Sequence, residues 1–418
     1  MRKVLLVSLV SDQTLPNVQI ITEFKDVVTD YMFVTTNSME KKGVKNWILK
    51  AAGVSTGNIH SKEVSEHDKD DIIQKLSDFD YASFDELIVN VTGGTKIMSL
   101  TAYLFFEKKN AKIYYVKGTD SDFVELFPAC RGNKLSCHIS IEDYLSAYGF
   151  ELIKTPSSGI PFEITKRIFN NYCLGLFENY AEALSFLRCK RSSGLKSKDF
   201  DKVSKFLDAI GYEPRKENVL DELEVKYLTG EWFEEYIGER LNLDLELKEN
   251  EILIGAEIKK EVPNIEVNSM VGLLGKRDNK ERLPKNEIDV MFIKDGMFHV
   301  VECKTSIIDE RITKKEKKTS AGKTVLDEYN NPMYYEDIKK INILGETIYK
   351  SDALKSKFGL FAKSYIATLV DFKQYITDDY NKWNQMQDLI TRASLSKIKL
   401  WDRNIICNTK NFKDLLSC

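Results

Sequence analysis

Histidine is scarce in this 418-residue chain. There are four, His60, His67, His138 and His299, which argues against a histidine-rich metal site and against a phosphodiesterase built on histidines. Proline is scarce too, at 8 residues, so long disordered linkers are not expected. Seven cysteines are scattered from Cys130 to Cys418 with no CxxC spacing. That set argues for a reducing cytoplasm and against a zinc ribbon or a disulfide framework. No apolar run approaches the roughly 18 residues of a membrane helix. The start, Met1-Arg2-Lys3 and then Val4–Val7, is interrupted by Asp12, Gln13 and Pro16, and no small-residue cleavage site follows. A buried first strand and a cytoplasmic protein are therefore expected. Finally, there is no excess of either charge. Sixty-one Lys and Arg against 64 Asp and Glu leave −3, which excludes a protein that coats nucleic acid by bulk charge.

What is present suits two or three globular domains, with 43% hydrophobic and 30% charged residues. Residues 1–148 alternate short apolar runs with helical patterns. Lys3–Val10, Tyr31–Thr35, Glu86–Val91 and Ala111–Val116 read as strands. Val18–Asp30, Lys41–Ala52, Asp68–Phe79 and Ile97–Lys109 read as helices. This alternation predicts an α/β unit with a doubly wound, mostly parallel sheet. Pro156-Ser157-Ser158-Gly159 marks a joint, and residues 149–228 read as a helical connector with a winged-helix flavour. Residues 229–418 form a second α/β unit. Its parts are a helix at Glu231–Leu241 and strands near Glu251–Lys259, Glu287–Ile293 and Met297–Lys304. Asp295-Gly296 is placed as a tight turn between the last two. Gly359–Val370 and Ile398–Trp401 read as strands and Asp379–Ala393 as a helix.

Two loops carry the N-terminal chemistry. In Asn90-Val91-Thr92-Gly93-Gly94-Thr95-Lys96 a buried strand turns on two glycines straight into a helix. Gly93 and Gly94 allow backbone N–H groups to approach an anion, and a helix N-terminus adds partial positive charge. Thr92 and Thr95 bring hydroxyls and Lys96 a full charge. The spacing is neither GxxxxGK[ST] nor GxGxxG, and on the pattern alone an ordinary glycine turn fits as well. The second loop follows the first strand and holds Ser11, Asp12, Gln13, Thr14 and Asn17. Both loops leave the carboxyl ends of strands, where doubly wound sheets bind ligands. Ser11, Gln13, Thr14 and Asn17 suit sugar, base and phosphate contacts, whereas Asp12 suits a helix cap.

The C-terminal chemistry lies in Asp289, Glu302 and Lys304. Twelve residues separate Asp289 from Glu302. The Asp295-Gly296 turn folds them into one hairpin, and period-two alternation puts Glu302 and Lys304 on one face and Cys303 on the other. Register permitting, Asp289 joins Glu302 and Lys304. Two carboxylates hold a hard cation such as Mg²⁺ or Mn²⁺. Lys304 can orient or deprotonate a water and stabilise charge on a phosphate. Surface hairpins carrying these three residue types are common. Here, however, the neighbours Ile288, Val290, Met291, Val300 and Val301 are apolar, and buried charge is costly unless used or paired. Cys303 reads as core filler whose backbone carbonyl could reach a metal. Downstream, Arg311–Lys323 carries six basic residues against Glu316 and reads as a flexible basic loop that could clamp a single strand. Tyr334, Tyr335 and Lys340 follow, and Lys339 is a candidate additional lysine.

At its N-terminal loops, SDQTLPN and NVTGGTKIMS, the sequence resembles the CARF (CRISPR-associated Rossmann fold) domains of type III CRISPR effectors. The D…ExK pattern resembles the PD-(D/E)xK nuclease superfamily, which typically adds a glutamate from a preceding helix. The local Gly230-Glu231-Trp232-Phe233-Glu234 is similar to the nuclease half of CARF nucleases of the Card/Can type, which places that role on Glu234 and leaves Glu231 and Glu235 on an exposed face. The resemblance covers nearly the whole chain, with the connector its weakest part. It implies a homodimer binding a cyclic oligoadenylate, first of all cyclic tetra-adenylate, across its two-fold axis through Ser11, Gln13, Thr14, Asn17 and Thr92 to Lys96. It further implies a restriction-endonuclease-like C-terminal domain, with Asp289, Glu302 and Cys303 holding Mn²⁺ or Mg²⁺. Such nucleases cut single-stranded RNA and DNA, and some nick supercoiled duplex DNA in antiviral defence. The charged insertion at 305–330 departs from the family. The competing expectation is a ligand-responsive transcriptional regulator whose middle region binds duplex DNA without cleaving it.

Overall fold

The computed structural model describes residues 2–55, 57–118, 122–154, 159–261, 285–319, 322–329, 331–375 and 380–417. The N-terminal elements are β1 (Val4–Leu9), α1 (Leu15–Phe24), β2 (Asp30–Thr35), α2 (Asn37–Lys42), α3 (Val44–Ala51), β3 (Asn58–Glu63), α4 (Lys69–Ser77) and β4 (Glu86–Asn90). They continue with α5 (Lys96–Glu107), β5 (Lys112–Val116), β6 (Asp122–Phe127), β7 (Arg131–Lys134) and α6 (Ile141–Ala147). The sheet order is β3-β2-β1-β4-β5-β6-β7. The first five strands are parallel, and β6 and β7 extend one edge antiparallel.

Helices cover both faces. Val4 and Leu6 pack with Val18 and Ile20 of α1, Ile48 of α3 and Tyr144 of α6. Leu5, Val7 and Leu9 pack with Ile72 of α4 and Met98, Ala102 and Phe106 of α5. This is the doubly wound sheet expected from the sequence. It explains why β1 is apolar without alternation, since a parallel strand between two helical layers is buried on both faces. Some boundaries differ. The first helix begins at Leu15, with Pro16 in its first turn, where the missing N–H costs nothing. The Lys41–Ala52 stretch is two helices, broken at Gly43 with φ +75°.

The chain then enters a second sheet through β8 (Phe150–Lys154). The joint read at 156–159 lies outside the described residues except for Gly159. Beyond it come α7 (Phe162–Cys173), α8 (Ala181–Cys189), α9 (Ser204–Ile210), α10 (Glu222–Lys226), a π-helical turn at Tyr227–Glu231, and α11 (Trp232–Leu245). Next are β9 (Ile252–Lys260), β10 (Lys285–Lys294), β11 (Met297–Lys304), β12 (Ile308–Glu316) and β13 (Tyr334–Asn342). The last elements are α12 (Ile343–Lys355), β14 (Lys363–Thr368), α13 (Tyr380–Leu395), β15 (Ile398–Trp401), α14 (Arg403–Asn408) and α15 (Lys413–Ser417). The second sheet runs β15-β14-β11-β10-β9-β8. β8 to β11 are antiparallel neighbours, while β14 and β15 join parallel. Asp295 and Gly296 both have positive φ, 51° and 73°, the requirement of the tight turn predicted there.

Helices α7 to α9 have no core of their own. Ile168, Phe169, Leu187, Phe206 and Leu207 share one apolar cluster with Phe233, Ile237 and Leu241 of α11 and with Val290, Phe292, Val301 and Cys303 of β10 and β11. The opposite face of the hairpin, through Met291, Ile293, Phe298 and Val300, shares a cluster with Tyr144, Tyr148, Leu354 and Phe358. The two sheets are thus welded by a continuous core. Within it the Tyr144 and Phe298 rings stack at 4.6 Å. Burying rings of this size contributes about 2–3 kcal/mol each.

Two expectations are corrected. Arg311–Glu316 belongs to β12, paired antiparallel with β13, so the first half of the basic segment, with Arg311, Lys314 and Lys315, is one strand of a two-stranded ribbon rather than a loop. Alternating charged residues conceal a strand whose pairing partner lies far along the chain. The cysteines are not all reduced, because Cys173 of α7 and Cys407 of α14 form a disulfide across 234 residues, a proximity that no local spacing reveals. No helix among the described residues is long and apolar enough to cross a membrane.

Candidate functional site

Pairing of Ser8 with Asn90 aligns the ends of β1 and β4, so the two N-terminal loops meet. Asn17 and Asn90 are fully buried and tie the loops together. Asn90 Nδ2 donates to Asn17 Oδ1 at 2.7 Å and to the Pro16 carbonyl at 3.2 Å. Asn17 Nδ2 donates to the Leu9 carbonyl at 2.8 Å. Thr92 donates to Asn90 Oδ1 through both N–H, at 3.1 Å, and Oγ1, at 2.6 Å, and its hydroxyl accepts from Val116 N at 2.8 Å. Thr95 caps α5 by accepting from Met98 N at 3.2 Å and donates to the Glu66 carbonyl at 2.7 Å.

Asn17, Thr92 and Thr95 therefore hold the loops in place, and Thr14 is buried at 1% exposure. The groups left toward solvent are half-buried Ser11 and Gln13, Gly94, and exposed Lys96 at the first turn of α5. Lys96 makes no ion pair among the described residues. Gly93 is required by close approach, since a Cβ there would lie 2.1 Å from the Leu9 carbonyl oxygen. Gly94 has φ +76°. Asp12 does not cap α1. It pairs with Lys42 at 2.7 Å, both side chains being largely exposed, an interaction of well under 1 kcal/mol. Gln13 has an unexpected partner, because its Oε1 accepts from Leu360 N of the second unit at 3.0 Å.

The second constellation is built on the hairpin. Val290 faces Val301, so the next rung sets Asp289 opposite Glu302. Asp289 Oδ2 accepts from Cys303 N at 2.6 Å and from Lys304 Nζ at 3.1 Å, and Lys304 Nζ also donates to Glu302 Oε2 at 3.4 Å. One ammonium bridges two carboxylates that are 5% and 0% exposed. A residue missed in the sequence completes the set. Lys350 of α12 donates to Glu302 Oε2 at 3.0 Å and to the Glu287 carbonyl at 2.8 Å. Its Nζ also stands 2.9 Å from Glu302 Oε1, so both oxygens of this carboxylate lie beside the Lys350 ammonium. Lys339, the candidate extra lysine, lies in β13 with its side chain outside the described part.

Burial pushes the Glu302 carboxyl above its ordinary range, Asp289 adds to this, and Lys350 and Lys304 oppose it. Burial and then Asp289 push Glu234 of α11 well up, so Glu234 shares the field of the hairpin carboxylates. Burial works against the Lys304 ammonium, yet Asp289 and Glu302 outweigh it and raise its pKa. Lys304 is thus a fixed cation in this arrangement rather than a base. The Cys303 thiol is buried in the apolar cluster on the other face and pushed well up by burial, which leaves it no nucleophilic role. Glu231 and Glu235, expected on an exposed face, are half-buried, and Glu235 accepts from Thr165 Oγ1 at 3.2 Å. For Glu235 the reason is α7, which packs against this side of α11.

Among the described residues no three His, Cys, Asp or Glu side chains are gathered closely enough to hold a metal ion by themselves. Asp289 and Glu302 are nevertheless two hard oxygen donors set side by side on neighbouring strands. That set fits a divalent cation whose remaining positions come from water and phosphate oxygens.

Residues 5–144 match the family model of the Card1 CARF domain. Among solved structures, Can2 from Sulfobacillus thermosulfidooxidans in complex with cyclic tetra-adenylate is similar over 96% of both chains, with 20% identity and a TM-score of 0.63. Protein VC1899 from Vibrio cholerae is similar over 96% of this chain and 94% of its own, with 15% identity and a TM-score of 0.66. These likenesses extend the fold across both sheets. No curated protein matches the chain.

Proposed function

We propose that the protein is a type III CRISPR effector that binds a cyclic oligoadenylate, first of all cyclic tetra-adenylate, at its N-terminal loops and cleaves nucleic acid at the Asp289–Glu302–Lys304 site. One observation carries the reading: two buried carboxylates and two lysines converge on one face of a hairpin, with Glu234 in their field. Stability alone does not call for such a site, because an apolar replacement of similar volume is commonly as stable or more so. Asp289 and Glu302, with the Cys303 carbonyl, would hold Mn²⁺ or Mg²⁺. That ion supplies Lewis acidity for phosphodiester hydrolysis. Lys304 places a fixed positive charge where negative charge grows on the phosphate. Lys350 and Lys304 oppose the upward push that burial and Asp289 give the Glu302 carboxyl. Glu234, with its raised pKa, is suited to hold a proton near the reacting groups.

The N-terminal reading rests on the family match and on the exposed groups Ser11, Gly94 and Lys96 at a helix N-terminus. A homodimer is supported by α5, where Ile97, Leu100 and Leu104 are 40%, 66% and 51% exposed at helical spacing. An apolar stripe of this kind marks a contact surface. The β12–β13 ribbon carries the first half of the basic segment that would follow a single-stranded RNA or DNA backbone.

The test is incubation of the full chain with labelled single-stranded RNA, single-stranded DNA and supercoiled plasmid, with and without Mn²⁺ and cyclic tetra-adenylate. Asp289→Asn and Lys304→Ala each lower cleavage by on the order of 10²–10³-fold. Wild-type rates from either variant overturn the assignment. Sequence-specific duplex binding with no cleavage by the wild type would point to a regulator instead.

A further inference from the structure

The ligand loops and the carboxylate site are joined inside one chain by a short series of direct contacts. Lys350 sits on Glu302 and on the Glu287 carbonyl from the middle of α12. The chain leaving α12 is clamped to the N-terminal unit. Tyr144 Oη donates to the Phe358 carbonyl at 2.7 Å. Leu360 N donates to Gln13 Oε1 at 3.0 Å. Between them Gly359, at φ +89°, is so close that a Cβ would lie 2.2 Å from Tyr148 Oη and 3.0 Å from Gln13 Oε1. Phe358 is fully buried, with its ring 5.3 Å from Phe150 and 5.1 Å from Phe298. Gln13 belongs to the same loop as Ser11, one of the groups facing solvent beside Gly93 and Gly94.

We propose that α12 couples the two sites. Lys350 is a positioning residue that holds Glu302, and the clamp of Tyr144 and Gln13 on Phe358–Leu360 sets where α12 places it. The proposal deepens the functional reading above and rests on it. A helix moves as a unit, and about 8 Å of it separates Lys350 from its last residue at ~1.5 Å per residue. A loop that closes on a ligand and withdraws Gln13 releases Leu360 N, and the whole helix can then shift. Displacing Lys350 Nζ by about 1 Å takes a 3.0 Å hydrogen bond out of range. The coupling has the form allostery requires, with one element, two seats and a ligand that touches only one end of it.

The test uses the full chain in two arms. Hydrogen–deuterium exchange is followed over residues 343–360 in wild type, Gln13→Leu and Tyr144→Phe. Removing either clamp bond speeds exchange there by about three- to tenfold. Cyclic tetra-adenylate that binds wild type by calorimetry changes exchange over the same residues. In the second arm, with saturating cyclic tetra-adenylate, Lys350→Gln lowers kcat for Mn²⁺-dependent cleavage by about tenfold or more with KM nearly unchanged, and Lys350→Arg restores most of it. Exchange unchanged in both clamp variants, or Lys350→Gln cleaving like wild type, overturns the proposal. A wild type that cleaves nothing refutes the functional reading, and the exchange arm alone then decides for or against the coupling.

Discussion

Replacement of Gly93 by alanine tests the ligand loop at the point where the geometry is tightest. The added Cβ would stand 2.1 Å from the Leu9 carbonyl oxygen and 3.3 Å from Ser11 Oγ. Carbon and oxygen in ordinary contact sit about 3.2 Å apart or more, so the backbones must part by about 1 Å. Leu9 and Asn90 are fixed by pairing within the parallel sheet, so the loop has to yield. The same Leu9 carbonyl accepts from Asn17, which in turn accepts from Asn90, and the displacement strains that link as well. Overpacking of about 1–3 kcal/mol and one weakened buried hydrogen bond of about 1 kcal/mol give a loss of about 2–4 kcal/mol. Urea denaturation followed by circular dichroism measures it, and calorimetry measures cyclic tetra-adenylate binding, expected to weaken by about tenfold or more. Gly132→Ala is the control, since nothing lies within 4 Å of a Cβ there. If Gly93→Ala matches Gly132→Ala in both measurements, the loop is not built as described.

His299 gives a pH prediction. Burial first of all holds its imidazole neutral, down to about 3 against an ordinary 6.5. The unfolded chain takes up that proton as pH falls below 6.5 and the folded chain does not, so stability is lost between pH 6.5 and 3. At about 1.4 kcal/mol per pH unit the loss reaches about 5 kcal/mol. His299→Gln flattens that slope in denaturant titrations, and an unchanged slope contradicts the assignment. Glu302→Gln removes a carboxylate that burial and Asp289 disfavour in its ionised form. Its unfolding free energy at pH 7 is equal to or above that of wild type, by on the order of 1 kcal/mol, while cleavage is lost. A destabilised but active variant refutes this. Leu100→Glu with Leu104→Glu on the exposed face of α5 halves the solution mass by light scattering, and a mass equal to that of wild type removes α5 from the dimer contact.

The parts of the fold legible in the sequence are those where local pattern and burial agree. β1 and β4 are apolar because helices cover both faces. The β10–β11 hairpin announces itself through its Asp-Gly turn, and the same turn sets Asp289 beside Glu302. β3 was not legible, because Asn58–Glu63 is a polar edge strand with four of six residues exposed. By sequence Asn17 suits a ligand contact, as short polar side chains in a loop do. Only the structure shows it fully buried and bonded to Asn90 and the Leu9 carbonyl. Lys350 carries no signal, since it is 48 positions along the chain from Glu302, beyond the β12–β13 ribbon. Gln13 and Leu360 lie 347 residues apart, and the packing of one unit on the other brings them together. What a single sequence conceals here is tertiary: side chains whose partners are chosen by how layers stack.

The most direct test of the central claim is the rate of single-strand cleavage by the full chain in Mn²⁺, measured across a titration of cyclic tetra-adenylate, with Asp289→Asn alongside. The account predicts a rate that rises and saturates with the cyclic nucleotide, and an Asp289→Asn protein that binds it equally well yet remains inactive at every concentration. Cleavage indifferent to the cyclic nucleotide, or undiminished in Asp289→Asn, would contradict it.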